Sequence, residues 1–261
     1  MASVSTERFA ALARSSPWRW RTLRFTVEWR GDSASPVRAW VRRPGCLRVE
    51  APDGALIFAG REERPGGGTV LLTSGGSSRD VEMISPLDPR APRPEFGVDG
   101  LVSRRPRDWS LHFDDPMYIN YRWVAMLDPA ELSDGIQDET GDTTPDPVDI
   151  TRLTEVDHHG RVAWQADLRP NPSYDPRCSC CPLLFSKASE DWEAEAGGPT
   201  LRERDPSLRY ADAHRVRLDV ATGVCVYTEE LGGTHAGNGH DLRIEAVDEL
   251  MHGALFADNA S

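Results

Sequence analysis

The fold is decided by the stretch Leu23-Arg24-Phe25-Thr26-Val27-Glu28-Trp29-Arg30. Apolar and polar residues alternate in it, which is the period of a β-strand with one buried face and one hydrated face. The pattern returns along the chain between short turns that contain Gly or Pro, so the protein is expected to be built from many short strands. It predicts further strands at residues 37–43, 47–51, 55–59, 69–73, 81–84, 150–156, 161–168, 216–220, 224–228 and 242–247.

Helical spacing interrupts the strands twice. Ser5 is a suitable cap for a helix over residues 6–14. Asp115-Pro116 has the composition of a helix start, and the apolar residues after it recur at helical spacing, which predicts a helical insertion at residues 115–133. The acidic segment 134–149 has few apolar residues and is predicted to be a mobile loop.

These patterns favour a mainly β (α+β) fold. Strands and helices do not alternate along the chain, so a parallel α/β sheet is not expected. The 261 residues include eight Trp and are 39% hydrophobic, which suffices for one core. We expect a single domain over residues 1–261, formed by a single curved antiparallel sheet or half-open barrel wrapped over the short helical insertion.

Charge and hydropathy restrict the partners. The net charge is −12, and although the first fifty residues hold ten Arg against four acidic residues, the remainder carries −18. An acidic majority repels nucleic acid, so no nucleic-acid partner is expected. No apolar run is long enough for a membrane span. The first residues lack a secretory-signal pattern, which predicts a cytoplasmic protein with mostly reduced thiols.

Two segments carry a resemblance to a known family. The hairpin Val216-Arg217-Leu218-Asp219-Val220-Ala221-Thr222-Gly223 and the closing strand Ile244-Glu245-Ala246-Val247-Asp248, together with a Trp-rich first strand, resemble the bacterial lipoprotein-carrier (LolA-like) family. They also resemble the related sensor domains that bind mislocalised lipoproteins. The resemblance implies a half-open antiparallel barrel over a helical plug, with an apolar cavity for acyl chains.

The first functional hypothesis is a non-enzymatic binding protein. A curved sheet rich in aromatic residues can hold an apolar small molecule, a lipid or a lipidated peptide partner. The same side chains can instead pack the helices against the sheet, and this alternative stays open. The candidate lining residues are Phe25, Val27, Trp29, Trp40 and Trp164.

The second hypothesis is a thiol-based metal-binding or redox protein. Cys178, Cys180 and Cys181 place three thiols within four residues, and thiolates are the preferred donors of Zn²⁺ and Cu⁺. A fourth ligand is available from His158 or His159 if their hairpin folds nearby. Adjacent exposed thiols also oxidise readily. The spacing is not that of two paired Cys motifs, so a structural loop of buried cysteines is the remaining alternative.

The sequence lacks the familiar catalytic signatures. It contains neither a Gly-x-Ser-x-Gly elbow nor a His-Glu-x-x-His motif. The Gly-rich loop at residues 232–240 lacks the lysine and helix of a phosphate-binding loop, and the acids of residues 138–146 lack calcium-loop spacing. We therefore predict no enzymatic activity and no cofactor other than a metal at the cysteines.

Overall fold

A computed structural model of the protein describes residues 4–31, 34–65, 83–107, 109–138, 140 and 142–257. The helices are α1 (Thr6–Arg19), α2 (Tyr121–Leu127), α3 (Lys187–Glu195) and α4 (Leu201–Arg204), with 3₁₀ turns at Leu111–Phe113, Ala130–Leu132 and Gly253–Phe256. In the part of the chain that the structure describes, no helix is both long and apolar enough to cross a bilayer.

Strands make up most of the regular structure. In the first half of the chain they are β1 (Thr22–Arg30), β2 (Val37–Arg42), β3 (Cys46–Glu50), β4 (Leu56–Arg61), β5 (Arg64–Pro65), β6 (Met83–Ile84), β7 (Glu95–Phe96) and β8 (Val102–Arg104). In the second half they are β9 (Asp134–Gln137), β10 (Thr143–Pro145), β11 (Val148–His158), β12 (Arg161–Pro170), β13 (Ala213–Asp219), β14 (Cys225–Leu231) and β15 (Gly239–Val247).

One antiparallel sheet of nine strands organises the protein, in the order β11-β12-β13-β14-β15-β1-β2-β3-β4. The first predicted strand, β1, joins the two halves of the chain, because it pairs with β2 on one side and with β15 on the other. Among the described residues the edge strands β4 and β11 do not pair with each other, so the sheet is open and not a closed barrel. The prediction of a mainly β fold with one large antiparallel sheet is confirmed.

The alternation in β1 has the predicted consequence for packing. Leu23, Phe25 and Val27 are fully buried, whereas Glu28, from the alternate set, is exposed. The buried side chains belong to a core that also contains residues of α1, α2 and the C-terminal strands. The helices therefore cover the apolar face of the sheet in the described structure, and burial of this face is a main stabilising contribution.

Helix α1 is longer than predicted, ending at Arg19 instead of residue 14. The last turn is stabilised from outside the helix. The Arg43 guanidinium donates hydrogen bonds to the carbonyls of Ser16, Pro17 and Trp20 at the C-terminal end of the helix. Arg43 is itself buried, stacks on the Trp20 ring and forms a bidentate ion pair with Asp115, with both N–O distances 2.7 Å.

The predicted start of the second helix at Pro116 is wrong. Helix α2 begins at Tyr121, and Asn120 caps it by accepting from the Arg122 backbone N–H. Asp115 is engaged with Arg43, and the backbone at Ile119 has a positive φ of 65°, which a helix does not allow. Within the predicted insertion, residues 130–132 form a separate short 3₁₀ turn.

The acidic segment also differs from the expectation of a loop. Residues 134–137 and 143–145 form the strand pair β9–β10, and Asp134 forms an ion pair with Arg14 of α1. The carboxylate of Asp134 thus holds this acidic segment against α1. The strand predicted at residues 69–73 lies outside the described residues, and of the strand predicted at 81–84 only residues 83 and 84 are described, as β6.

A buried histidine lies between β14 and β15. His240 is fully buried, with Nε2 2.9 Å from the Cys225 carbonyl and Nδ1 3.0 Å from the Thr228 hydroxyl. The carbonyl only accepts, so Nε2 carries the proton and Nδ1 accepts from Thr228. Burial and the charge of Arg122 lower the pKa of His240 to about 3. The ring is therefore neutral in the folded protein.

This histidine predicts a loss of stability in mild acid. The unfolded chain takes up the proton below pH 6.5, whereas folded His240 stays neutral down to about pH 3. Its contribution to the free energy of unfolding is thus complete above pH 6.5 and falls by roughly 1.4 kcal/mol for each pH unit below it. Urea unfolding at pH 7, 6 and 5 should show a shallower decline for His240→Gln than for the wild type.

The protonation state of His240 can also be measured directly. The NMR signal of the His240 ring proton in the wild-type protein should not titrate between pH 8 and pH 5. A titration midpoint of His240 near its ordinary pKa, or equal pH slopes in the two proteins, would contradict the assignment.

Candidate functional site

The loop that carries the three clustered cysteines is closed by one buried carboxylate. Glu131 accepts hydrogen bonds from the backbone N–H groups of Arg177 and Leu183, each at 3.0 Å, which lie on either side of the cysteines. It also accepts from the Tyr174 hydroxyl, which in turn accepts from the Leu184 N–H. Burial raises the pKa of Glu131, and these hydrogen bonds oppose the increase.

Arg177 fixes the same loop from the other side. Its guanidinium forms ion pairs with Asp114 and Asp128, and all three side chains are buried or nearly so. Asp128 also receives a bidentate pair from Arg105, with both distances 2.8 Å. The charges of the two aspartates outweigh burial and raise the pKa of Arg177. A positive charge thus stays next to Glu131 and offsets part of the cost of burying that carboxylate.

The three sulfur atoms lie together at the surface of this loop. The Sγ atoms of Cys178 and Cys180 are 2.9 Å apart, those of Cys180 and Cys181 are 3.8 Å apart, and all three lie within 4.8 Å of one another. Cys180 is exposed and the other two are half-buried. Among the described residues no further His, Cys, Asp or Glu joins this group.

Hydrogen bonding within the cluster gives the three thiols different pKa values. The Cys181 thiol, followed by the Cys180 thiol and the backbone N–H groups of both residues, stabilises a thiolate at Cys178 and lowers its pKa well below the ordinary value. The same interactions raise the pKa values of Cys180 and Cys181. The cluster therefore holds one thiolate that is shared by two thiol donors near neutral pH.

The two histidines proposed as a fourth ligand form a separate group with Asp241. His159 lies 2.7 Å from an Asp241 oxygen, at the tip of the β11–β12 hairpin. His158 has both ring nitrogens engaged, since Nε2 lies 3.1 Å from the Leu242 carbonyl and Nδ1 lies 3.1 Å from the Arg217 guanidinium. The structure thus brings the three cysteines together but does not join His158 or His159 to them.

The five aromatic and aliphatic candidates do not share one surface. Phe25, Val27 and Trp164 are buried in the main core. Trp40 packs in the separate apolar cluster of Cys46, Met251 and Phe256, with Arg38 and Arg48 against its ring. Trp29 is half-buried and lies in the wall of a surface cleft.

This cleft opens directly beside the cysteines. It has a volume of about 340 Å³, and Cys180 and Cys181 form part of its wall. The other side chains that determine its chemistry are Trp29, Arg30, Tyr118, Arg122, Phe185 and Glu230. The cysteine cluster therefore borders a space large enough for a small molecule.

Sequence patterns did not reveal the residues that hold the site together. Glu131 connects both ends of the cysteine loop across a long sequence separation. Glu131, Arg122 and Arg177 had no signal in the sequence, because their roles depend on contacts between segments far apart in the chain.

Comparison with known proteins adds no name to this geometry. No protein-family model matches the chain, and no curated protein is significantly similar to it.

Replacing Glu131 by Gln tests its role in closing the loop. The amide retains one acceptor oxygen and turns two N–H groups towards backbone donors, so one backbone N–H loses its partner. We expect the free energy of unfolding to fall by about 1–3 kcal/mol. The Cys178–Cys181 loop should also exchange its amide hydrogens faster. Urea unfolding and hydrogen exchange measure the two effects.

Glu195→Gln is the matched control, since Glu195 is an exposed acid at the end of α3. Its unfolding free energy should stay within about 0.5 kcal/mol of the wild type. Equal effects of the two substitutions would show that Glu131 does not hold the loop.

Proposed function

We propose that this protein binds a soft metal cation, Zn²⁺ or Cu⁺, through the thiolates of Cys178, Cys180 and Cys181. The observation that carries the proposal is the convergence of three sulfur atoms within 4.8 Å on a loop fixed at both ends. Soft thiolates select these two cations over the hard ions that oxygen ligands prefer.

The sulfur separations suit one shared ion. Around a cation with metal–sulfur bonds of about 2.3 Å in tetrahedral geometry, sulfur atoms lie about 3.8 Å apart. The Cys180–Cys181 distance already has this value, at 3.8 Å, and the Cys178–Cys180 distance is 2.9 Å. One shared ion therefore requires the Cys178–Cys180 separation to lengthen by about 0.9 Å, which we expect from rotation of these two side chains.

Electrostatics prepare one of the three ligands for metal uptake. A ligand cysteine must lose its proton before it binds a metal, and the pKa of Cys178 is already lowered by its neighbours. Hydrogen bonds to Cys178 raise the pKa values of Cys180 and Cys181, so metal binding has to release the protons of these two thiols. With three protein ligands, Zn²⁺ has a fourth position for water or another ligand, whereas Cu⁺ is satisfied by three thiolates.

A thiol redox role is the second candidate. Its specific support is the 2.9 Å separation between the sulfur atoms of Cys178 and Cys180, one of which is a stabilised thiolate. A disulfide between them requires the loss of two electrons and of the protons that the two sulfurs carry, which an oxidant must accept. Disulfide formation removes two donors from the metal site, so the two functions exclude each other at a given moment.

The remaining functional expectations stay predictions from the sequence. They are the lipoprotein-carrier relationship, the half-open wrap of the sheet around the helices, an apolar or lipidated partner, and a cytoplasmic location. The location bears on the present proposal, because a reducing compartment keeps the three thiols available for a metal.

A metal titration tests the proposal. The protein is reduced, stripped of metal and titrated anaerobically with Zn²⁺ and with Cu⁺ in the presence of a competing chelator. We expect one equivalent of at least one of the two ions to remain bound after gel filtration. Cys180→Ser should weaken binding by about 100-fold or more, because a hydroxyl is a poor donor for a soft cation.

Two control variants separate this site from the other candidate ligands. Cys46→Ser changes a buried cysteine in another cluster, and His159→Gln changes the histidine group near Asp241. Both should bind the metal as the wild type does. Less than about a tenth of an equivalent in the wild type, or equal loss in His159→Gln and Cys180→Ser, would refute the three-cysteine site.

A further inference from the structure

The cleft beside the cysteines contains an unusual set of unpaired donors. The side-chain N–H groups at Trp29 Nε1, Arg30 Nε and Arg122 Nε are buried and have no hydrogen-bond acceptor among the described residues. All three residues line the same cleft. An unsatisfied buried donor is unfavourable, so three such donors on residues that line one cavity favour the entry of an acceptor from outside.

The charges of the cleft specify what kind of acceptor it is. Among the described residues, the Arg30 guanidinium donates hydrogen bonds to two neutral groups, the Tyr227 hydroxyl and the Thr228 carbonyl. Arg122 bonds to the Thr228 hydroxyl at 3.2 Å. Within the described wall, Glu230 is the one carboxylate, and burial raises its pKa to about 7. Two cations thus face at most one partly neutralised acid, which favours an anionic guest.

Part of the rest of the wall is apolar and aromatic, beside the polar side chains of Asn120, His235 and Asn238. Tyr118 and Phe185 line the cleft together with the Trp29 ring, and Pro182 and Leu201 add further apolar surface. A volume of about 340 Å³ lies at the small end of the range for ligand cavities.

We propose that this cleft binds a small organic carboxylate with an aromatic body. The carboxylate accepts hydrogen bonds from Arg122, Arg30 and Trp29, and the body lies against Tyr118 and Phe185. This site is additional to the metal site and does not require it, since none of the proposed contacts to the carboxylate comes from a cysteine. The guest nevertheless lies next to Cys180 and Cys181, so ligand and metal are close enough to influence each other's binding.

Fluorine NMR with 4-fluorobenzoate tests the proposal on the reduced, metal-free protein. We expect saturable broadening of the ligand signal. The neutral isostere 4-fluorobenzamide should bind at least about 10-fold more weakly, because it lacks the charge that the guanidinium groups recognise. Inorganic phosphate, which has charge but no apolar body, should displace the ligand only at about 10-fold higher concentration or more.

Substitutions in the cleft wall test whether 4-fluorobenzoate binds in this cleft. Arg122→Gln should weaken 4-fluorobenzoate about 10-fold or more. Because this change also alters the contact to Thr228, Trp29→Phe provides a second variant that keeps an aromatic ring and removes one N–H donor, with an expected weakening of about 5-fold. Arg38→Gln removes an arginine beside Trp40, outside the cleft wall, and should have no effect.

Three results would overturn the proposal. They are the absence of saturable binding, equal binding of the acid and the amide, and unchanged binding in both Arg122→Gln and Trp29→Phe. Equal displacement by inorganic phosphate would also overturn it, since the apolar wall would then contribute nothing. None of these results depends on whether the cysteines bind a metal, so the two proposals fail or succeed separately.

Discussion

The cysteine site depends on the buried carboxylate of Glu131. Its two oxygens accept from backbone N–H groups at both ends of the cysteine loop, which fixes a segment that has no regular structure of its own. A buried charge is costly in isolation, but the hydrogen bonds and the adjacent positive charge of Arg177 offset part of that cost. Without this acceptor the loop would gain conformational freedom and the three sulfur atoms would lose their common position.

The large sheet supplies the rigid base for this arrangement. Strand β1 joins the two meanders, and the Arg43–Asp115 pair connects the β2–β3 turn to the end of α1 and to the segment before α2. Trp29 near the end of β1 and Arg122 in α2 then reach the same cleft. Chemistry is thus concentrated where loops meet the end of the sheet, while the sheet interior is devoted to packing.

The parts of the fold with a local signal could be predicted from the sequence. The alternation in β1 and the hairpin around Gly223 gave the correct strands, because burial on one face imposes a period of two. The start of α2 could not be predicted, since Asp115 and Asn120 are equally good caps by composition. The choice between them is made by Arg43, which is distant in sequence and occupies Asp115.

The same distinction applies to the candidate site. Cys178, Cys180 and Cys181 were evident because they are neighbours in the sequence, and the structure brings their sulfur atoms together. Arg122, Glu131 and Glu230 were not, because each acts through a contact between distant segments. The proposed histidine ligands fell outside the cysteine group for a related reason, since the hairpin that carries them folds against Asp241 and not against the cysteine loop.

X-ray absorption spectroscopy of the metal-loaded protein tests the central claim most directly, because it identifies the atoms bound to the cation. The three-cysteine site predicts three sulfur neighbours at about 2.3 Å, with at most one lighter neighbour when the metal is zinc. A first shell made only of nitrogen and oxygen atoms, or one with a single sulfur, would contradict the assignment of the metal to Cys178, Cys180 and Cys181.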